Sequence, residues 1–214
     1  NFAIGYNNLA SILKDLIELE EAEIFARKAI EINPAFAEAY STLANILKDL
    51  DELKEAELFA RKAIEINPNF AIGYNNLASI LKNLGELKEA ELYLRKAIKI
   101  DPTFAIAYNN LASILKDLGQ LIEAETLTRK AIKLMPDLAD AHLNLGNILN
   151  GKQKLEEAIN SYENALNLNS TYHPALIGLG KVHLKKGNYL QGLEKLKEGE
   201  GFISFNLYDG LSFN

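Results

Sequence analysis

The sequence predicts an all-α protein, a right-handed superhelical solenoid of about six helix-turn-helix repeats with a short β-hairpin-like tail. Three observations predict it. The fourteen residues Asn1 to Lys14 recur letter for letter as Asn69 to Lys82, and Pro34, Pro68, Pro102 and Pro136 fall 34 residues apart. Units of that period cannot bury their apolar faces alone and must stack on their neighbours. Within each unit, apolar residues recur at helical spacing.

Counted from Ala3, Ala37, Ala71, Ala105, Ala139 and His173, the repeats are 3–36, 37–70, 71–104, 105–138, 139–172 and a degenerate capping repeat 173–204. The solenoid then takes up 1–204 and the tail 201–214. In the unit from Ala71, Tyr74, Leu77, Ala78 and Leu81 form one apolar stripe, and Leu87, Ala90, Leu94, Ala97 and Ile98 form another. Each unit is therefore two helices. Ala10, Ala44, Ala78, Ala112 and Gly146 recur in the first helix and Ala22, Ala56, Ala90, Ala124 and Ala158 in the second, where small side chains let helices approach closely. Gly85, Gly119 and Gly187 stand between the two helices, at a place suited to positive φ, which Ile17, Asp51 and Gln153 fill elsewhere. The prolines end the second helix, lacking the donor N–H and clashing with the preceding turn. Gly192, Gly199 and the lysines Lys185, Lys186, Lys195 and Lys197 mark the sixth unit as a polar cap. After Gly201 the pattern alternates, with Tyr208-Asp209-Gly210 as a turn, which reads as a strand, a turn and a second strand.

Composition narrows the function. A net charge of −6 and pI near 5.2 argue against nucleic acid, whose capture rests on clustered Lys and Arg. No apolar run is long enough for a membrane span. Cysteine is absent, so disulfide and thiolate chemistry are excluded. Asn1 and Phe2 match Asn69 and Phe70 at the end of a unit, so an excerpt of a longer chain is expected. The compartment is not legible, and the cytoplasm is the default expectation. No cofactor is expected. His142, His173 and His183 fall in different turns of the array and make no metal or catalytic set, and no glycine-rich phosphate loop occurs. Enzymatic activity within this segment is not expected.

The repeated places resemble the tetratricopeptide repeat. The fourth place is aromatic in Tyr6, Tyr40, Tyr74 and Tyr108, with His142 and Leu176 departing. Leu holds the seventh place, Ala or Gly the eighth, Ala the twentieth and twenty-seventh, and Pro the thirty-second. In wording the chain is most similar to the repeat domain of the O-linked N-acetylglucosamine transferases. That resemblance implies a superhelix whose concave wall, lined by first helices, binds extended polypeptide through asparagines.

Asparagine recurs in the sixth place as Asn8, Asn76, Asn110 and Asn144, interrupted by Thr42 and Gly178. A carboxamide both donates and accepts, so it can hold one peptide group through its N–H and C=O. First helices roughly 10 Å apart would meet about every third residue of an extended guest rising about 3.3 Å per residue. Asn7, Asn75 and Asn109 flank this ladder, Asn45 and Asn147 lie one turn on, and Lys14, Lys48, Lys82 and Lys116 lie farther along. Asp15, Asp49, Asn83 and Asp117 follow those lysines, so a strongly acidic guest is not demanded. The pairs Glu23–Arg27, Glu57–Arg61, Glu91–Arg95 and Glu125–Arg129 read as a solvated outer face. The expectation is a scaffold for a protein or peptide partner. The alternatives are a substrate-recruiting or regulatory segment of a larger enzyme such as a glycosyltransferase, or a module that self-assembles through the first helix or the tail.

Overall fold

The computed structural model describes the backbone of residues 2–200, 203–206 and 210–213 and the side chains of residues 2–199. Among the described residues twelve helices follow one another: α1 (Phe2–Asp15), α2 (Leu19–Ile32), α3 (Ala37–Asp49), α4 (Leu53–Ile66), α5 (Ala71–Asn83), α6 (Leu87–Ile100), α7 (Ala105–Asp117), α8 (Leu121–Leu134), α9 (Ala139–Gly151), α10 (Leu155–Leu168), α11 (His173–Lys185) and α12 (Tyr189–Glu200). They fall into two compact units, Asn1–Asn110 and Leu111–Asn214.

In the first unit α1 pairs with α2, α3 with α4 and α5 with α6, while α2 packs on α3 and α4 on α5. Alanine makes this possible. Ala22, Ala26 and Ala29 in α2 and Ala56, Ala60 and Ala63 in α4 are buried, each letting a neighbouring backbone approach. Larger side chains fill the seams: Leu43, Ile46, Leu47, Leu77, Ile80 and Leu81 are fully buried. Tyr6 stacks on Phe25 and Tyr74 on Tyr93, both at 5.8 Å between ring centroids, tying each first helix to its own second helix. In the second unit α8 packs on α9, α9 pairs with α10, α10 packs on α11, and α11 pairs with α12. Its core gathers Leu145, Leu149, Tyr162, Leu179 and Val182.

Each helix pair turns through one residue of positive φ: Gly85, Gly119 and Gly187, or Ile17, Asp51 and Gln153 in their stead. The N–H of the residue after the positive-φ position reaches back to close the cap, as Glu86 does to the Leu81 carbonyl at 2.8 Å. Between repeats the chain is shaped by Asx turns, in which a side-chain oxygen accepts from a backbone N–H two residues on: Asn33 and Asn67, each before a proline, from Ala35 and Asn69, and Asn169, before Ser170, from Thr171.

The charged outer pairs do more than the sequence suggested. Arg27 donates to Glu23 in its own helix and to Glu55 in α4, each at 2.7 Å, and Arg61 bonds Glu57 in its own helix and reaches Glu89 in α6 at 2.8 Å. Arg129 likewise bonds Glu125 and Glu157. These arginines staple successive second helices.

Of the expected turn Tyr208-Asp209-Gly210, residues 208 and 209 lie outside the described residues.

Candidate functional site

The first helices of the first unit lie side by side, α1 on α3 and α3 on α5, so equivalent places recur along one wall. Proline-bounded Asx turns at Asn33, Asn67 and Asp101 precede α3, α5 and α7 and set where those first helices begin. The sixth place is half-buried in Asn76 and Asn110 and exposed in Asn8. The fifth place is buried in Asn7, Ser41, Asn75 and Asn109.

A hydrogen-bond relay joins the two places across neighbouring repeats. Asn76 Nδ2 donates to Ser41 Oγ at 2.8 Å, and Asn110 Nδ2 donates to Asn75 Oδ1 at 2.9 Å. Asn75 Nδ2 in turn makes a long contact of 3.4 Å to Asn76 Oδ1. Asn76 and Asn110 thus each commit one of their two N–H groups to the fold. One N–H and part of the oxygen's accepting capacity remain at the wall, which matches what a single peptide group can engage. The relay has a gap. Thr42 stands where an asparagine would reach Asn7, and Asn7 Oδ1 is left buried without a partner among the described residues.

In the second unit Asn144 and Asn147 are half-buried on α9. Asn147 Oδ1 accepts the Tyr162 hydroxyl at 2.8 Å. The same tyrosine ring explains why the sixth place becomes Gly178: a Cβ there would stand 2.5 Å from Tyr162 Cε1, and one at Gly146 only 2.6 Å away. Burial pushes the Tyr162 hydroxyl pKa up to about 12, so it remains a donor.

Asn45 is half-buried on α3. Lys14 meets Asp15 and Asp49, both at 3.6 Å, Lys48 meets Asp49 at 3.3 Å, and Lys116 meets Asp117 at 3.0 Å, so these three ammonium groups are matched by carboxylates. Lys82 is half-buried. The histidines do not converge: His142 Nε2 bonds the Pro136 carbonyl at 2.9 Å, and His183 Nδ1 contacts Asn188. No group of three His, Asp or Glu side chains among the described residues could hold a metal ion, and no described helix is long and apolar enough to cross a membrane.

Sequence reasoning missed two participants. Ser41 was legible as the fifth-place residue 35 positions before Asn76; Tyr162 was legible only as a paired exchange with Gly146 and Gly178.

A helix pair per 34 residues, an aromatic fourth place and alanine-lined second helices define a class of stacked repeat. Tetratricopeptide-repeat models match residues 3–36, 37–70, 71–104 and 93–126, and a TPR-repeat model matches 146–187; the chain belongs to the tetratricopeptide-repeat family. None of the curated proteins matches it. Among solved structures it is similar to PilF of Pseudomonas aeruginosa, with a TM-score of 0.78 and 20% identity over 94% of this chain and 96% of that one. It is also similar to PilW, a type IV pilus biogenesis factor, with a TM-score of 0.81 and 22% identity over 90% of each chain. A third, YrrB, described as a TPR protein with an unusual peptide-binding site, gives a TM-score of 0.59 and 25% identity over 82% of this chain and 91% of that one. At these identities the likeness establishes a helical solenoid of tetratricopeptide type.

Proposed function

We propose that this chain is a protein-interaction scaffold that captures an extended segment of a partner along the first-helix wall. The sixth-place asparagines Asn8, Asn76 and Asn110 grip its main chain, with Asn144 as the counterpart in the second unit. The observation that carries this reading is the half-spent carboxamide. One N–H of Asn76 or Asn110 is anchored on the neighbouring repeat, which fixes the rotamer, and the other N–H and the oxygen stay available for a peptide group. A pre-oriented donor loses less entropy on binding than a mobile one. Asn75 acts from beneath by holding the orientation of Asn110, and Asn7 and Asn109 flank the ladder at the equivalent places. Asn45, Asn147 and the lysines Lys14, Lys48, Lys82 and Lys116 modulate which side chains the wall accepts. The carboxylates beside Lys14, Lys48 and Lys116 keep the wall from demanding an acidic guest.

Family membership supports a partner that is protein or peptide, as does YrrB, whose description names a peptide-binding site. The wording shared with the O-linked N-acetylglucosamine transferases' repeat domain points to the same main-chain grip and to substrate recruitment for a larger enzyme. The tail enters the proposal as a hairpin continuing from α12. Because an extended guest must be ordered on binding, affinity is expected on the order of micromolar.

The test is an array of unrelated peptides probed with wild type, Asn76→Ala, Asn110→Ala and Ser41→Ala. The two asparagine variants should lose signal several-fold across sequences that share no side-chain motif. Ser41→Ala releases the anchored N–H but keeps the groove amide, and should weaken binding less than either asparagine variant. Undiminished binding by both asparagine variants would end the proposal.

A further inference from the structure

Ile24, Leu58 and Leu92 hold the twenty-second place of the first three repeats and are 63%, 65% and 63% exposed. The arginine staples set α2, α4 and α6 side by side, so the three side chains form a row on the outer face, about 10 Å from one to the next. One exposed leucine is ordinary, but three in register make a patch. The second unit carries Thr126, Asn160 and Glu194 at that place, so the patch belongs to the first unit.

Flanking charges give the row a direction. The eighteenth and twenty-ninth places lie on the same side of each second helix as the twenty-second, at helical spacing. They are Glu20 and Glu31 in α2 but Lys88 and Lys99 in α6, and all four are exposed, with no ion pair or hydrogen bond among the described residues. In α4, between them, the same places are already matched: Lys54 meets Glu57 at 3.6 Å and Glu86 at 3.7 Å, and Glu65 accepts from Lys62 at 2.9 Å. The guanidinium groups at the seams are matched as well, Arg27 by Glu23 and Glu55, and Arg61 by Glu57 and Glu89. The face therefore runs from an acidic end to a basic end, and covering its middle leaves none of these charges unpaired.

Such a face complements itself. We propose that it is a docking surface for a second copy of this chain, related by a two-fold axis that lies in the contact plane along α4. That axis lays α2 of one protomer over α6 of its partner with the helices running the same way. Glu20 then meets the partner's Lys88, Glu31 meets the partner's Lys99, Ile24 packs on the partner's Leu92, and the two Leu58 side chains meet on the axis. The other in-plane axis, across the helices, would lay α2 on α2 and set Glu20 against the partner's Glu31 and Lys88 against the partner's Lys99. Like charges disfavour it. The patch spans roughly 16 Å along the helices and roughly 20 Å across them, so the dimer is weak, on the order of ten micromolar. Because the wall asparagines stand on the first helices, docking through the second helices leaves that wall open.

The test is sedimentation of the full chain up to about 200 micromolar at low salt, where a reversible dimer should form and should weaken as salt is raised. Leu58→Asp should abolish it. Lys88→Glu with Lys99→Glu, and separately Glu20→Lys with Glu31→Lys, should each weaken self-association roughly tenfold, because every end contact becomes like-charged. Mixing the two double variants should restore a dimer, since each then faces its opposite, and that restoration shows that both are folded. The chain has no cysteine, so single replacements report the axis cleanly: Ile24→Cys should cross-link to Leu92→Cys and not to itself. A chain that stays monomeric, a dimer indifferent to Leu58→Asp, no restoration on mixing, or Ile24→Cys cross-linking to itself overturns the proposal.

Discussion

Ile17 holds a φ of 66° in the turn between α1 and α2, although it is β-branched and exposed. Left-handed backbone costs an L-residue roughly 1–2 kcal/mol relative to glycine, more awkwardly so for a branched side chain. Gly85 and Gly119 occupy the same place at φ of 82° and 79° with open space around them. Ile17→Gly is therefore expected to stabilise the chain by about 1 kcal/mol, read as a higher urea midpoint, since no buried contact is lost. A lower midpoint would show that the isoleucine packs. This place was legible in the sequence because glycine recurs there. Tyr162 was not, because its role depends on a volume exchange: the ring fills what Ala or Asn side chains would otherwise occupy at Gly146 and Gly178, and periodicity reports positions without reporting volumes.

Helix by helix, the array is held by contacts that step from one repeat to the next. The fifth and sixth places form one such step, and Thr42 interrupts it beneath Asn7. Thr42→Asn should supply the absent N–H to Asn7 Oδ1 and stabilise the α1–α3 seam by about 1 kcal/mol, because a buried acceptor gains a partner. An unchanged or lowered thermal midpoint would contradict this. The Glu125 carboxylate makes a second step, accepting from Lys152 Nζ at 2.6 Å and from Arg129. The bond from Lys152 holds its pKa below the ordinary glutamate value, with burial opposing and Arg129 assisting. A lowered folded-state pKa means stability that is present above the unfolded pKa and lost as pH falls through the folded one. Glu125→Gln should therefore lower stability at neutral pH and make the loss toward about pH 3 shallower, measured as urea midpoints at both. The i, i+4 pairing of these charges was legible in the sequence. Their reach of 28 residues to the next second helix was not, because it depends on how α2 and α4 stack, and spacing within one helix cannot show that.

At the scale of the whole molecule, the repeat period, the two-helix unit and the family were all readable from the chain, since small-residue places and prolines recur with the packing they serve. The candidate wall was readable in part. The asparagine series stood out by repetition, but its division between the fold and the surface emerged only from the relay through Ser41 and Asn75. The central claim is that the unspent half of Asn76 holds a guest's peptide group, and a thermodynamic cycle tests it most directly. A peptide selected on the array would be titrated against wild type and Asn76→Ala, both as the amide and with single backbone amides replaced by esters, which removes one N–H at a time. At one position the ester should cost wild type roughly threefold to tenfold in affinity, the range of one net hydrogen bond of about 0.5–1.5 kcal/mol, and should cost Asn76→Ala nothing further. Equal ester penalties in both proteins at every position would contradict the account.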